Sequence, residues 1–199
     1  MDRKRVLAAV FSLGIEGEET KASTIGHRLG LSRKEAEEEL VKLVNEGLAN
    51  FKGRKVELTS GGRKSIRVVF IGGGFEVIHY GHAYTIDKAK SLGDVLVVSV
   101  ARDSTIRRRK KREPLVNERE RVRLVSSLKM VDAAILGVQG DIYVTLQKVG
   151  PDIVALGYDQ YHMETEVLKE ARKRGLKVKV VRLDSPYPKL KTSNLLKEL

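Results

Sequence analysis

Residues 70–82 read FIGGGFEVIHYGH. Two imidazoles, His79 and His82, stand three residues apart with Gly81 between them, and Gly72, Gly73 and Gly74 precede them. Imidazole nitrogens can donate hydrogen bonds, move protons or ligate metals. Glycines let backbone N–H groups approach an anion closely, and a helix that opens after such a loop adds partial positive charge. The stretch therefore suits a polyphosphate that both imidazoles reach across the turn at Gly81. It is not a dinucleotide fingerprint, because the third glycine of GxGxxG is Val77, and no Gly-Lys-Ser/Thr follows to make a P-loop. A histidine metal pair would lack a third ligand at recognisable spacing, so no metal site built from the chain is expected. Lone histidines are usually satisfied surface or core residues, but two in HxGH after a glycine run point to a site.

Other candidates lie downstream. Residues 107–112 form a basic run, RRRKKR, which by itself reads as a solvated loop or a patch for an anionic partner. Asp159, in GYDQ, falls at the end of a strand-like stretch, where it could accept hydrogen bonds from a ligand or cap the helix that follows. Thr192 and Ser193 stand at the start of a short helical pattern at 193–199, as plain N-caps or as phosphate donors.

Composition bounds the partners. Of 199 residues, 41% are hydrophobic and 32% charged, a globular balance, and cysteine is absent. Thiol chemistry and disulfides are therefore excluded. No apolar run approaches the roughly 20 residues of a membrane span, and no small-residue cleavage site follows the apolar N-terminal stretch. A cytoplasmic protein with no membrane partner is expected. Residues 65–199 carry +9 of the net charge of +12. The excess travels with the glycine and histidine motif, which suits an anionic small substrate as well as nucleic acid.

The elements that must position these residues fall into two groups. Helical patterns at 3–13, 21–29 and 33–46 are followed by two β-like runs joined at Gly53-Arg54. Ser32 and Glu35 form a capping box for the third helix, which carries an apolar stripe of Ala36, Leu40, Leu43 and Val44, and Gly47 ends it. This is the order of a winged helix-turn-helix domain, placed at 1–62. Arg33 and Lys34 would meet base edges and Arg54 phosphates, against the acidity of Glu35, Glu37, Glu38 and Glu39. A packing or dimerisation domain is the alternative. Residues 59–65, TSGGRKS, read as a linker. From residue 66 to 199, strands (IRVVFIG, DVLVVSVARD, DAAILGV, PDIVALGYD, KVKVVRL) alternate with helices. This predicts a Rossmann-like α/β domain with a parallel sheet, its ligand at the carboxyl ends of the strands.

HxGH after a glycine-bearing first strand resembles the nucleotidyltransferase superfamily. SLGDVLVVSVARDSTIRRRKKREPLVNERERVRLVSSLKMVDAAILG, PDIVALGYDQ and KTSNLLKEL are similar to the archaeal FAD synthase branch, itself similar to glycerol-3-phosphate cytidylyltransferase. The resemblance covers residues 66–199. It implies attack of a substrate phosphate on the α-phosphorus of a nucleoside triphosphate, with Mg²⁺ or another divalent metal bridging the phosphates. It implies that His79 and His82 stabilise the transition state, that Gly73, Gly74 and Phe75 offer N–H groups, and that Tyr80 and Gly81 line the turn. A lysine of the basic run, Lys110 or Lys111, would reach the triphosphate. Arg121 fits the family's helix arginine, Asp159 the residue that contacts base or sugar, and Thr192 and Ser193 the terminal hydroxyl motif. Relatives read Gly-Thr-Phe-Asp where this chain has Gly73-Gly74-Phe75-Glu76. The activity implied is transfer of AMP from ATP to FMN. The alternatives are a CTP-dependent enzyme acting on an alcohol phosphate such as glycerol 3-phosphate, and a DNA-binding regulator with a nucleotide- or flavin-sensing domain. Superfamily habit implies a homodimer.

Overall fold

The computed structural model describes residues 1–187. The predicted helix at 193–199, and with it Thr192 and Ser193, lies outside the described residues. The chain divides into two compact units, Met1–Arg67 and a second beginning at Val68. Among the described residues no helix is long and apolar enough to cross a membrane.

The first unit contains helices α1 (Arg3–Glu16), α2 (Ala22–Leu29) and α3 (Arg33–Asn45), the antiparallel hairpin β1 (Ala49–Lys52) and β2 (Lys55–Leu58), and a short helix α4 (Ser60–Lys64). Ser32 and Glu35 make the reciprocal bonds of a capping box at the start of α3. Gly47 follows α3 with φ +69, a conformation that glycine adopts at least cost. The TSGGRKS segment is not a plain linker. Thr59 caps α4 through Gly62 N–H at 3.0 Å, and the Arg63 guanidinium lies 5.2 Å from the Phe11 ring. Two consecutive glycines masked this turn of helix in the sequence.

The second unit is a five-stranded parallel sheet, as expected. Its strands are β3 (Val68–Gly73), β4 (Val95–Val100), β5 (Ala133–Leu136), β6 (Ile153–Leu156) and β7 (Lys179–Arg182), in the order β5-β4-β3-β6-β7. Its helices are α5 (Tyr80–Lys90), α6 (Asp103–Lys110), α7 (Glu118–Ser126), α8 (Ile142–Val149) and α9 (Glu164–Lys173). Every residue of β4 is buried, which accounts for its continuous apolar run. Val69, Ile71 and Ala155 pack on one face with Ile86 and Ala89 of α5 and Val125 of α7. Side-chain alternation turns Phe70, Val154 and Leu156 to the other face. Strand order reverses between β3 and β6, which opens a crevice at their carboxyl ends.

Two helices differ from expectation. α5 begins at Tyr80, inside the HxGH motif and not after it, because Gly81 weakens the helical signal of these residues. Most of the basic run is the end of α6 and not a loop. Arginine and lysine are good helix formers, Asp103 sits in the first turn, and Lys111 ends the helix with φ +55.

Candidate active site

The glycine run ends β3, and its three carbonyls are all occupied. Gly72 O accepts from Gln160 Nε2 at 2.5 Å, Gly73 O from the Ala101 N–H at 2.8 Å, and Gly74 O from Arg121 Nη1 at 2.5 Å. A trans peptide sets each carbonyl opposite the next N–H. The N–H groups of Gly74 and Phe75 therefore point away from Ala101 and Arg121, whereas Gly73 lies in the β3–β4 ladder opposite Val100. Phe75 completes the turn with φ +52, a strained value for a bulky residue. Burial of its ring under Gly73 holds it there: a β-carbon at Gly73 would stand 2.8 Å from that ring.

His79 is the N-cap of α5 and its side chain caps nothing. The first N–H groups of α5 thus remain available for an anion. His82 follows on the same face of the helix, with ring centroids 4.0 Å apart. Burial lowers the basicity of His79, with Asp159 opposing. Burial, and then the neighbouring His79, push His82 down to about 4. Both rings are neutral at pH 7. His79 Nδ1 and Nε2 and His82 Nδ1 are buried and have no hydrogen-bond partner among the described residues. Leaving such groups unmatched costs about 1–3 kcal/mol each, which a polyphosphate would recover.

Glu76 organises the positive side of the site. Its side chain is fully buried. It accepts from Lys110 Nζ, from Arg112 at 2.7 and 3.1 Å, and from the Leu115 N–H at 3.3 Å. Burial would raise its pKa, but these bonds and the Lys110 charge outweigh it and bring the carboxyl from 4.5 to about 2. The ammonium of Lys110 lies 3.9 Å from where a β-carbon at Gly74 would be. Glu76 thus holds the Lys110 ammonium beside Gly74.

Two cavities meet here, and Gly72–Gly74, Lys110, Asp159 and Gln160 line both. The smaller, about 310 Å³, lies on the α5 face and includes His79, Gly81 and His82. The larger, about 540 Å³, lies on the face of α8 and α9. Asp159 does not cap α9, whose N-cap is Met163.

Three expected contacts are placed elsewhere. Arg121 is fully buried, with bonds to Val116 O, Gly74 O and Asp103 at 2.9, 2.5 and 2.6 Å. It orients the glycine turn from beneath and has no exposed surface for a nucleotide. Lys111 occupies the left-handed end of α6 and lines neither cavity. The Tyr80 side chain is 61% exposed, lines neither cavity, and packs edge-on to Tyr187 with centroids 4.9 Å apart.

Gln160 and Arg182 carry no local sequence signal of their roles. Arg182, on β7, donates to the carbonyls of Gly157, Gln160 and His162 and to Glu164. It pins the loop that carries Asp159 across a long sequence separation that no local pattern encodes.

A family model described as cytidylyltransferase-like matches residues 70–198. The chain belongs to the cytidylyltransferase-like family. It is 52% identical over 114 residues to the FAD synthase of Methanothermus fervidus, covering 56% of this chain and 78% of that protein. It is 53% identical over 111 residues to the FAD synthase of Aciduliprofundum boonei, covering 56% and 74%. A crystal structure described as the lipopolysaccharide core biosynthesis protein from Thermoplasma volcanium GSS1 superposes with a TM-score of 0.58 at 44% identity, covering 60% of this chain and 98% of that one. The family match begins inside β3, so it leaves the first unit outside.

Proposed function

We propose that the protein is an FAD synthase that transfers AMP from ATP to the phosphate of FMN. The carrying observation is the pair of imidazoles at the uncapped start of α5, three of whose nitrogens are buried without a partner among the described residues, in a chain 42–53% identical over 111–140 residues to several archaeal FAD synthases. An FMN phosphate oxygen attacks the α-phosphorus, the bond from that phosphorus to the β-bridging oxygen breaks, and pyrophosphate leaves with the electron pair. His79, His82 and Lys110 stabilise the charge that gathers on the phosphates, and the N–H groups of Gly74 and Phe75 hold oxygens in place. Asp159 contacts the nucleoside. Mg²⁺ would enter with the nucleotide and would supply neutralisation of the phosphate charge. Mass spectrometry of the product from FMN with ATP or CTP tests the reading. FAD from ATP alone is expected. A cytidylylated product, or transfer only to glycerol 3-phosphate, overturns the substrate assignment.

The first unit supports a second role. Three helices followed by a hairpin have the order of a winged helix, with Arg33 and Lys34 exposed at the start of α3 and Arg54 at the hairpin turn. We propose that this unit binds duplex DNA. Arg33 is ion-paired to Glu37 at 2.8 Å, so its contact requires exchange of that partner for phosphate or base. Salt-sensitive filter binding that is lost in the Arg33→Ala, Lys34→Ala double variant is expected. No binding at low salt overturns the role.

A further inference from the structure

Both histidines line only the smaller cavity, and the larger one is chemically different. Its deep walls include Phe70, Ile106, Leu146, Val154, Leu156 and Val167, all buried and apolar. Its rim carries Tyr161, 59% exposed. The Arg109 guanidinium lies 4.1 Å from the Tyr161 ring centroid, and the His162 ring packs 4.0 Å from it. Arg109 has no carboxylate partner among the described residues, in contrast to Arg107, Lys110 and Arg112 of the same run.

An apolar slot edged by an aromatic ring and a guanidinium that no carboxylate holds suits a planar, electron-poor aromatic ring with carbonyls along one edge. A small polar alcohol phosphate would leave these walls unused. The placement also suits the transfer. In-line displacement needs the attacking and leaving oxygens on opposite sides of phosphorus. The two cavities lie on opposite faces of the sheet and meet only over the glycine turn, the loop carrying Asp159 and Gln160, and Lys110.

We propose that the larger cavity seats the isoalloxazine ring of the acceptor, with Tyr161 as its stacking surface and Arg109 turned to the ring's carbonyl edge. This rests on the FAD synthase reading. The ribityl phosphate then emerges over Gly72–Gly74 to meet the nucleotide from the α5 side. The loop bearing Tyr161 is held by Arg182 and by Gln160 on the Gly72 carbonyl, so the stacking surface is tied to the same backbone that grips the phosphates.

FMN fluorescence quenching on the full chain tests this, with ATP affinity measured in parallel by calorimetry. Stacking is worth about 1–3 kcal/mol. Tyr161→Ala is expected to weaken FMN binding about tenfold, Tyr161→Phe to restore it, and neither to change ATP affinity. Unchanged FMN affinity in Tyr161→Ala, or an equal loss for ATP, overturns the ring assignment alone. Wild-type protein that binds ATP but not FMN overturns both this assignment and the FAD synthase reading. Exposure of Tyr161 on a loop keeps the alanine variant folded, and circular dichroism checks that it is.

Discussion

Replacing Glu76 by glutamine keeps its shape and removes its charge. In the wild-type protein Arg112, Lys110 and the Leu115 N–H hold the buried carboxyl at about 2, against a burial effect in the opposite direction. Displacement from 4.5 to about 2 corresponds to about 3 kcal/mol of folding stability. Lys110 and Arg112 are 40% and 34% exposed, and solvent screening of these partners trims the figure to about 2 kcal/mol. The folded-state value is depressed, so the contribution is complete above pH about 4.5 and is lost as pH falls through about 2. Urea unfolding of full-length Glu76→Gln, followed by circular dichroism, is therefore expected to show a loss of about 2 kcal/mol at pH 7. The gap to wild type should narrow steadily between pH 4.5 and 2.5. The variant should also raise KM for ATP, because Lys110 loses its anchor beside Gly74. A variant as stable as wild type at pH 7, or a gap that does not change on acidification, would refute the reasoning.

Other consequences follow from the same geometry. Burial holds His82 down at about 4, so acid must charge it on unfolding. Stability falls as pH drops from about 6.5 toward 4, and the fall should be shallower by about 3 kcal/mol in His82→Asn, read from urea midpoints across that range. A triphosphate beside the two neutral imidazoles raises their pKa values, so ATP binding at pH 6.5 should take up protons, detected by calorimetry in buffers of different ionisation enthalpy; zero uptake contradicts the placement. Gly73→Ala should disrupt the turn and lower activity at least about a hundredfold, because its β-carbon meets the Phe75 ring at 2.8 Å, whereas Gly74→Ala should fold normally, with its nearest neighbour at 3.9 Å. Arg121→Met leaves Asp103 and two carbonyls without their donor and should destabilise by about 3 kcal/mol in thermal unfolding.

Much of the second unit was legible because its strands are short apolar runs between strong turn signals. DVLVVSV could hardly be anything but a buried central strand. HxGH after a glycine run was legible for a different reason, since close backbone approach restricts residue type. Hidden features depended on distant partners. The helical end of α6 looked like a loop because six like charges in a row repel. Their neutralisation comes from Glu76 and Glu113, on either side of the run. A ligand contact for Arg121 is what the family resemblance implies, and nothing local in ERVRLV signals that the side chain is buried. Its burial follows from three acceptors converging on it from Gly74, Asp103 and Val116. Arg182 and Gln160 carried no signal, since their carbonyl partners are backbone atoms of residues chosen for other reasons. No stacking surface could be named from an aromatic content of 5%, yet the fold gathers Tyr143, Tyr161 and His162 at one rim.

The central claim is nucleotidyl transfer at His79 and His82. Pyrophosphate release by purified full-length protein with Mg²⁺, across ATP or CTP paired with FMN or glycerol 3-phosphate, tests it most directly, with His82→Ala alongside. Release that requires ATP and FMN together, and that falls at least a hundredfold in His82→Ala, is the predicted result. Release that persists undiminished in the variant, or no release with any pair although ATP and FMN both bind, would contradict it.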